Sequence, residues 1–385
     1  MNITIEQNDW RLVQQAIDQV SVAGGGCVTV ATRITHSHTI FMKSNVRLHL
    51  ENGCSIVGSA DYHDYVDFRP DELGGLAPEK SNCTLIAGLN ESNIAITGAG
   101  TLECPGVKFY DENIMAHGGR FFAKPPTPRP RILHLVNCKD VLLEDTLYLN
   151  SPCWTIWLSG CVRVTVRGIR IEGDQRMINN DGIDIDSCQD VTVADCHIRT
   201  ADDCLVLRAM PRNGQRPMLC ENVTITNCVL DSACQGMRIG CPSDGIIRNC
   251  RITGLVLDCP GNGIVINNPK CYLKEGDNGS MDLSNITVSN ASINAKGNPI
   301  RIDVEEGICL KGIRDIVFDN IVMTSPSRCA FTGSTETYLE NITLRMSSFR
   351  KIPPCEGMLT EPTDDTLIVR KCRRFSLENL ELDND

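Results

Sequence analysis

The sequence lacks a surplus of positive charge, a long apolar run and any closely paired cysteines. Lys and Arg number 37 against 48 Asp and Glu, a formal net charge of −11. Nucleic acid and anionic membrane surfaces call for a basic face, so neither is an expected partner, although a local basic pocket for an acidic sugar stays open. No stretch approaches the roughly 18 apolar residues that span a bilayer, which excludes a membrane-spanning helix. The opening MNITIEQNDW has no basic stretch followed by an apolar run, so no secretory leader is visible and a cytoplasmic location is expected. The 21 cysteines contain no CxxC pair, the spacing that zinc sites favour. They read as reduced thiols packing as small hydrophobes, with no metal and no cofactor implied.

What is present is a short signature that keeps returning. A polar residue precedes a β-branched or apolar one, and alternation follows: SNIAITG (Ser92 to Gly98), KDVLLED (Lys139 to Asp145), VRVTVRG (Val162 to Gly168), QDVTVAD (Gln189 to Asp195), ENVTITN (Glu221 to Asn227), SNITVSN (Ser284 to Asn290) and RDIVFDN (Arg314 to Asn320). In the central members, the residue before the apolar one falls at 140, 163, 190 and 222, giving steps of 23, 27 and 32. Short period-2 runs broken by Gly, Asn and Asp are strand-and-turn punctuation. A period of roughly 20–35 residues with several strands per period predicts a β-solenoid. Cysteines recur in register, with Cys138, Cys161 and Cys188 just before the signature, and Cys196, Cys228 and Cys250 after it.

The ends and one insertion depart from the rhythm. NDWRLVQQAIDQV predicts an amphipathic helix with Asp9 as N-cap, Trp10, Val13, Ala16, Ile17 and Val20 on its apolar face, and Gly24 to Gly26 as its stop. Residues 1–26 would thus cap one open end of the solenoid. Residues 105–130 form an inserted loop that includes the basic, rigid stretch KPPTPRPR, and 350–385 a C-terminal coil or cap. The whole chain, 1–385, is read as a single domain.

Chemistry concentrates in NNDGIDIDSC and RTADDCLVLR, which hold Asp181, Asp184, Asp186, Asp202 and Asp203. Asp181 and Asp202 lie 21 residues apart, close to one coil, and neighbouring coils stack at about 4.8 Å. Asp181, Asp202 and Asp203 are therefore expected on one outward patch, with Ile183, Ile185, Leu205 and Leu207 pinning the strands inward. The bland alternative is turn aspartates bonding to backbone amides. It is given even weight for Asp184 and Asp186, and Asp186 is read as a turn or surface residue.

These motifs resemble the polygalacturonase family of glycoside hydrolases, right-handed parallel β-helices that carry Asn-Thr-Asp-Gly, then Asp-Asp one coil later, then Gly-His-Gly and Arg-Ile-Lys. Here the first two read Asn179-Asn180-Asp181-Gly182 and Asp202-Asp203, and SPCWTIWL (Ser151 to Leu158) is also similar. The resemblance implies an all-β, right-handed parallel β-helix. It makes Asp202 the general acid and has Asp181 and Asp203 hold the attacking water, with inversion, while Asp184 supports the first motif. The remaining motifs depart. Gly-His-Gly aligns with Cys234-Gln235-Gly236, and Arg-Ile-Lys with Val265-Ile266-Asn267, so two cations that would grip substrate carboxylates are gone. Arg301 to Asp303 reads IRID but lies a coil too late. Arg238 stands three residues after Gln235 as a replacement cation. Expected substrate contacts are Asp184, Gln235, Arg238, Asn267, Arg208, Lys270 and Trp154, although Trp154 and Trp157 fit packing at least as well. The expected partner is a short, pectin-derived galacturonide or rhamnogalacturonan-type oligosaccharide, cut from one end if the inserted loop walls the cleft. Alternatives are a neutral glycoside, a uronosyl lyase or epimerase reaction on the same fold, and a non-catalytic glycan-binding helix.

Overall fold

A computed structural model describes residues 1–73, 78–211, 218–273, 279–358 and 363–384. Its contacts divide into two compact units, one made of Met1–Asp184 with Cys188–Asp202, the other of Ile185–Ser187 with Asp203–Asp385. Both are built from parallel strands in successive coils, and the fold is a right-handed parallel β-helix.

In the first unit each coil contributes three strands. Ser92–Thr97, Lys139–Glu144, Val162–Arg167 and Gln189–Ala194 stack in parallel register, placing Ile94, Val141, Val164 and Val191 in one buried column. Thr101–Glu103, Leu147–Leu149, Arg170–Glu172 and His197–Thr200 form a second ladder. Thr84–Leu89, Arg131–Val136 and Ile156–Ser159 form a third. In the second unit, strands of 13 or 14 residues such as Asp282–Ala295, Gly312–Ser325 and Leu339–Lys351 stack on one another. The opposing ladder runs Leu205–Arg208, Gln235–Gly240, Asn262–Asn267, Ile300–Asp303, Cys329–Thr332 and Leu367–Arg370. Complete burial of each Val, Leu or Ile in such a column stabilises by about 1.5–3 kcal/mol.

The backbone explains the repeat. The residue just before the apolar one in each signature has a left-handed conformation: Asn93, Asp140, Arg163, Asp190, Asn222, Asn285, Asp315 and, in the further coil Glu340–Met346, Asn341 all have φ between 54 and 57°. Five residues later the chain again turns left-handed, at Gly98, Asp145, Gly168, Asp195, Asn227, Asn290, Asn320 and Met346. Such φ values crowd Cβ against the backbone, and Asn, Asp and Gly tolerate them best. Most coils therefore print Asn, Asp or Gly at these fixed offsets, with Arg163 and Met346 as exceptions.

The predicted cap is a helix at Trp10–Val22, with the Asp9 carboxylate accepting from Arg11 N at 3.0 Å and Val13, Ala16, Ile17 and Val20 buried. It packs on the strands Asn2–Ile5 and Gly26–Val30. Trp10 is only half-buried and stacks on His38, with ring centroids 5.1 Å apart. The inserted segment holds a small antiparallel pair, Met115–Ala116 with Phe121–Phe122. At the other end, Cys372–Asn384 adds a further parallel strand to Leu339–Lys351; within the 350–385 segment, residues 359–362 and 385 lie outside the described residues. All 21 cysteines are free thiols, and burial pushes Cys104, Cys250 and Cys329 each up to about 12.

Candidate active site

In the first unit the acidic motifs are locked together through amides. Asp181 is 4% exposed; its carbonyl accepts Thr155 N at 2.8 Å, and that of Gly182 accepts Ile156 N at 3.0 Å. These bonds fix the entry to the strand Ile183–Asp186, in which every residue is buried. Ile183 and Ile185 join the core as predicted, and Asp184 is fully buried. Asp202 is half-buried, the most accessible of the five carboxylates. Its Oδ2 accepts two N–H groups from Asn179, from the backbone at 3.2 Å and from the side-chain amide at 3.4 Å. Asn180, 1% exposed, accepts Ala201 N at 2.7 Å and Asp202 N at 3.3 Å, and donates to the Asp174 carbonyl at 3.1 Å. Gly173 is needed beside it, since a Cβ there would lie 2.5 Å from Asn180 Nδ2.

The inserted loop reaches the same motif. Tyr110, Phe122 and Met177 form a small core with Val107, Phe109 and Ile178 packed on it. Phe122 N donates to the Arg176 carbonyl at 2.8 Å. Arg129, in the basic stretch read as a rigid loop, turns inward and is 1% exposed; it bonds to Tyr110, Pro152, Ile178, Asn179 and Glu79. Burial opposes its charge, yet Cys153, Tyr110 and Glu79 together raise its pKa above the ordinary arginine value. Trp154 is 5% exposed, set edge-on to Trp157 at 5.5 Å and under the Arg131 guanidinium at 5.2 Å. Packing accounts for it.

In the second unit Asp203 is 2% exposed, and Arg238 Nη1 lies 3.5 Å from its Oδ2. Arg238 also donates through Nε and Nη2 to Asn267 Oδ1, both at 3.3 Å, and its guanidinium lies over the Tyr272 ring at 5.4 Å. Asp203, Arg238 and Asn267, each named separately from the sequence, are thus brought together. Arg208 is 3% exposed, and it, Arg238 and Asp203 all act electrostatically on Cys241. Gln235 is 8% exposed, and its carbonyl accepts Cys204 N at 3.2 Å. Lys270 is exposed and donates from Nζ to the Glu306 carbonyl at 2.5 Å. Arg301 and Asp303 sit one coil beyond Val265 and Asn267, as the sequence spacing predicts, and pair with each other at 2.7 Å.

Asp186 corrects an expectation. It is 1% exposed rather than on the surface, because its Oδ1 accepts Met210 N at 2.9 Å and the Ser187 hydroxyl at 3.0 Å. Sequence reading also missed Arg129 and Glu79. The prolines around Arg129 mark a surface loop, and nothing in them signals an inward guanidinium.

A family model described as "Glycosyl hydrolases family 28" matches residues 66–333, well over half of the chain. The chain is 26% identical over 195 residues to a "Probable polygalacturonase" of Vitis vinifera, a match covering 50% of this chain and 37% of that protein. It is 23% identical over 326 residues to an "Endo-polygalacturonase" of Pectobacterium parmentieri, covering 77% and 79% respectively. Among solved structures, an exopolygalacturonase from Thermotoga maritima superposes with a TM-score of 0.77 at 20% identity, covering 100% of this chain and 92% of that one.

Proposed function

The chain belongs to family 28 of the glycosyl hydrolases, and from that premise we propose that it is an inverting hydrolase of short pectin-type oligosaccharides, acting from a chain end. Asp202 is the general acid, as its family motif and its accessibility indicate. As the bond from the anomeric carbon to the glycosidic oxygen breaks, Asp202 gives its proton to that oxygen. A water attacks the opposite face of the sugar and loses its proton to Asp181 or Asp203. Inverting enzymes separate acid and base by about 6.5–9.5 Å to admit that water.

The observation that carries the substrate reading is Arg238. The strands that hold the family's His and Lys carry Gln235 and Asn267 instead, and Arg238 is the cation on these strands that lies beside Asp203 and Asn267. A guanidinium there suits a uronate carboxylate, which it can hold bidentately. End-on action is supported by the inserted loop, whose Tyr110 and Arg129 bond to Ile178, and Arg129 also to Asn179, just before Asp181.

The test is a panel of defined galacturonide, rhamnogalacturonan and neutral oligosaccharides, with NMR reading the anomer first released. Cleavage of uronides with the β-anomer appearing first from an α-link supports the proposal. Retention, or unsaturated uronide products, overturns it in favour of another mechanism, and cleavage of neutral sugars alone removes the role given to Arg238.

A further inference from the structure

The structure points to Arg129 as the positioning residue for Asp202, acting through the side-chain amide of Asn179; we propose this role on the basis of the hydrolase reading above. Nη1 donates to Tyr110 Oη at 2.6 Å, to the Ile178 carbonyl at 2.7 Å and to the Pro152 carbonyl at 3.1 Å. Nη2 donates to Glu79 Oε2 and to Asn179 Oδ1, both at 3.2 Å. A planar guanidinium engaged at both terminal nitrogens and enclosed to 1% exposure has one orientation available.

The chemistry of the contact sets the amide. Arginine can only donate, so it holds the oxygen of Asn179 and turns the NH2 group away toward Asp202. The flipped amide would face NH2 against the guanidinium and a carbonyl oxygen against the carboxyl of Asp202. Arg129 excludes that arrangement. With the backbone N–H at 3.2 Å and the amide at 3.4 Å, Asp202 Oδ2 receives two donors. A neutral carboxyl then carries its proton on Oδ1, the oxygen that must face the glycosidic bond. As that proton leaves, negative charge develops on the carboxylate, and the two N–H groups at Oδ2 are already aimed at it. Donors fixed before charge develops need no reorganisation during the reaction.

A positioned acid matters only where the leaving group needs a proton, which separates this role from a merely structural one. Wild type and Arg129→Lys are compared on digalacturonide, whose departing sugar must be protonated, and on α-galacturonosyl fluoride, whose fluoride departs without acid help. The expected result is a fall of about 10²-fold in kcat on digalacturonide, with KM and the rate on the fluoride within about threefold of wild type. Equal losses on the two substrates by a folded variant overturn the proposal, as does the absence of any loss. If Arg129→Lys does not fold by circular dichroism, Glu79→Gln is used, which weakens the hold on Arg129 from its partly exposed side. The same split, at about tenfold, supports the role and its absence overturns it. If wild type cleaves a different glycoside, the substrate reading falls and the split is measured on that glycoside and its fluoride. Wild type that cleaves no glycoside overturns the hydrolase reading and this one with it, whereas active wild type without a split overturns only the role of Arg129.

Discussion

Two regions of the chain carry the family's motifs, and they differ in how tightly their side chains are held. In the stretch from Asp174 to Asp202, each motif amide bonds to a neighbour: Asn180 to Asp174, Ala201 and Asp202, and Asn179 to Arg129 and Asp202. In the strands Gln235–Gly240 and Asn262–Asn267, one arginine makes longer contacts to Asp203 and Asn267 and keeps 11% of its side chain exposed. The lesson is a division of labour. On the proposed reading, proton transfer needs an acid placed within hydrogen-bond reach of its target, and the amide network around Asp202 supplies that placement. Recognition of the sugar, on the same reading, rests on Arg238.

Breaking the acid side has the largest expected effect. Asp202→Asn lowers kcat by about 10²–10⁴-fold, the usual worth of a positioned proton donor, on every glycoside the protein cleaves and with KM little changed. Steady-state kinetics check this, and unchanged turnover would remove Asp202 from the mechanism. On the recognition side, Arg238→Gln is expected to lower kcat/KM on uronides by about 10- to 100-fold, the worth of a charge-assisted hydrogen bond. Turnover of any neutral glycoside should be spared. A loss shared by neutral and acidic sugars would show that Arg238 serves Asp203 rather than the substrate.

Asn180→Ala probes stability within the acid region. It strands the N–H groups of Ala201 and Asp202 and the Asp174 carbonyl, and is expected to cost about 1–3 kcal/mol in urea unfolding. A smaller cost would mean that the network is less taut than its distances suggest. The smallest effect lies away from both regions, at Glu306. Hydrogen bonds from Lys371 and Thr335 hold its carboxyl at about 2, below the ordinary 4.5. A depressed carboxylate stabilises the fold above its unfolded value, and that contribution fades as pH falls from about 4.5 toward 2. The Tm of Glu306→Gln should therefore lie slightly below wild type at pH 7 and converge with it by about pH 2, with activity unaffected.

Much of the fold was legible because the backbone itself writes the repeat. Left-handed turns at Asn93, Asp140, Asp190 and Asn222 select Asn or Asp, and the alternation that follows is the inward and outward face of a strand. Arg163 breaks that rule at the first turn of its coil and Met346 at the second turn of another; their coils are still recognisable because the neighbouring columns of Val, Ile and Leu hold the register. The helix cap was legible for the same kind of reason, from Asp9 and the spacing of Val13, Ala16, Ile17 and Val20. Of the candidate site, the acidic motifs stood out in the sequence because few other uses place Asp181 and the Asp202-Asp203 pair one coil apart. Asp186 was misplaced because a buried aspartate at the end of a strand and an exposed turn aspartate look alike in sequence.

The sequence by itself determined the coil, its period and the acidic motifs of the family, since each depends on local backbone sterics or on motif identity. Only the tertiary structure decided which polar groups gather behind Asp202. The acceptors around Arg129 come from positions 79, 110, 152, 178 and 179, distant in the chain and gathered by the winding of the coils and the return of one long loop. No local pattern encodes such a meeting, because a guanidinium is stable inside the protein only once all of its distant acceptors have arrived.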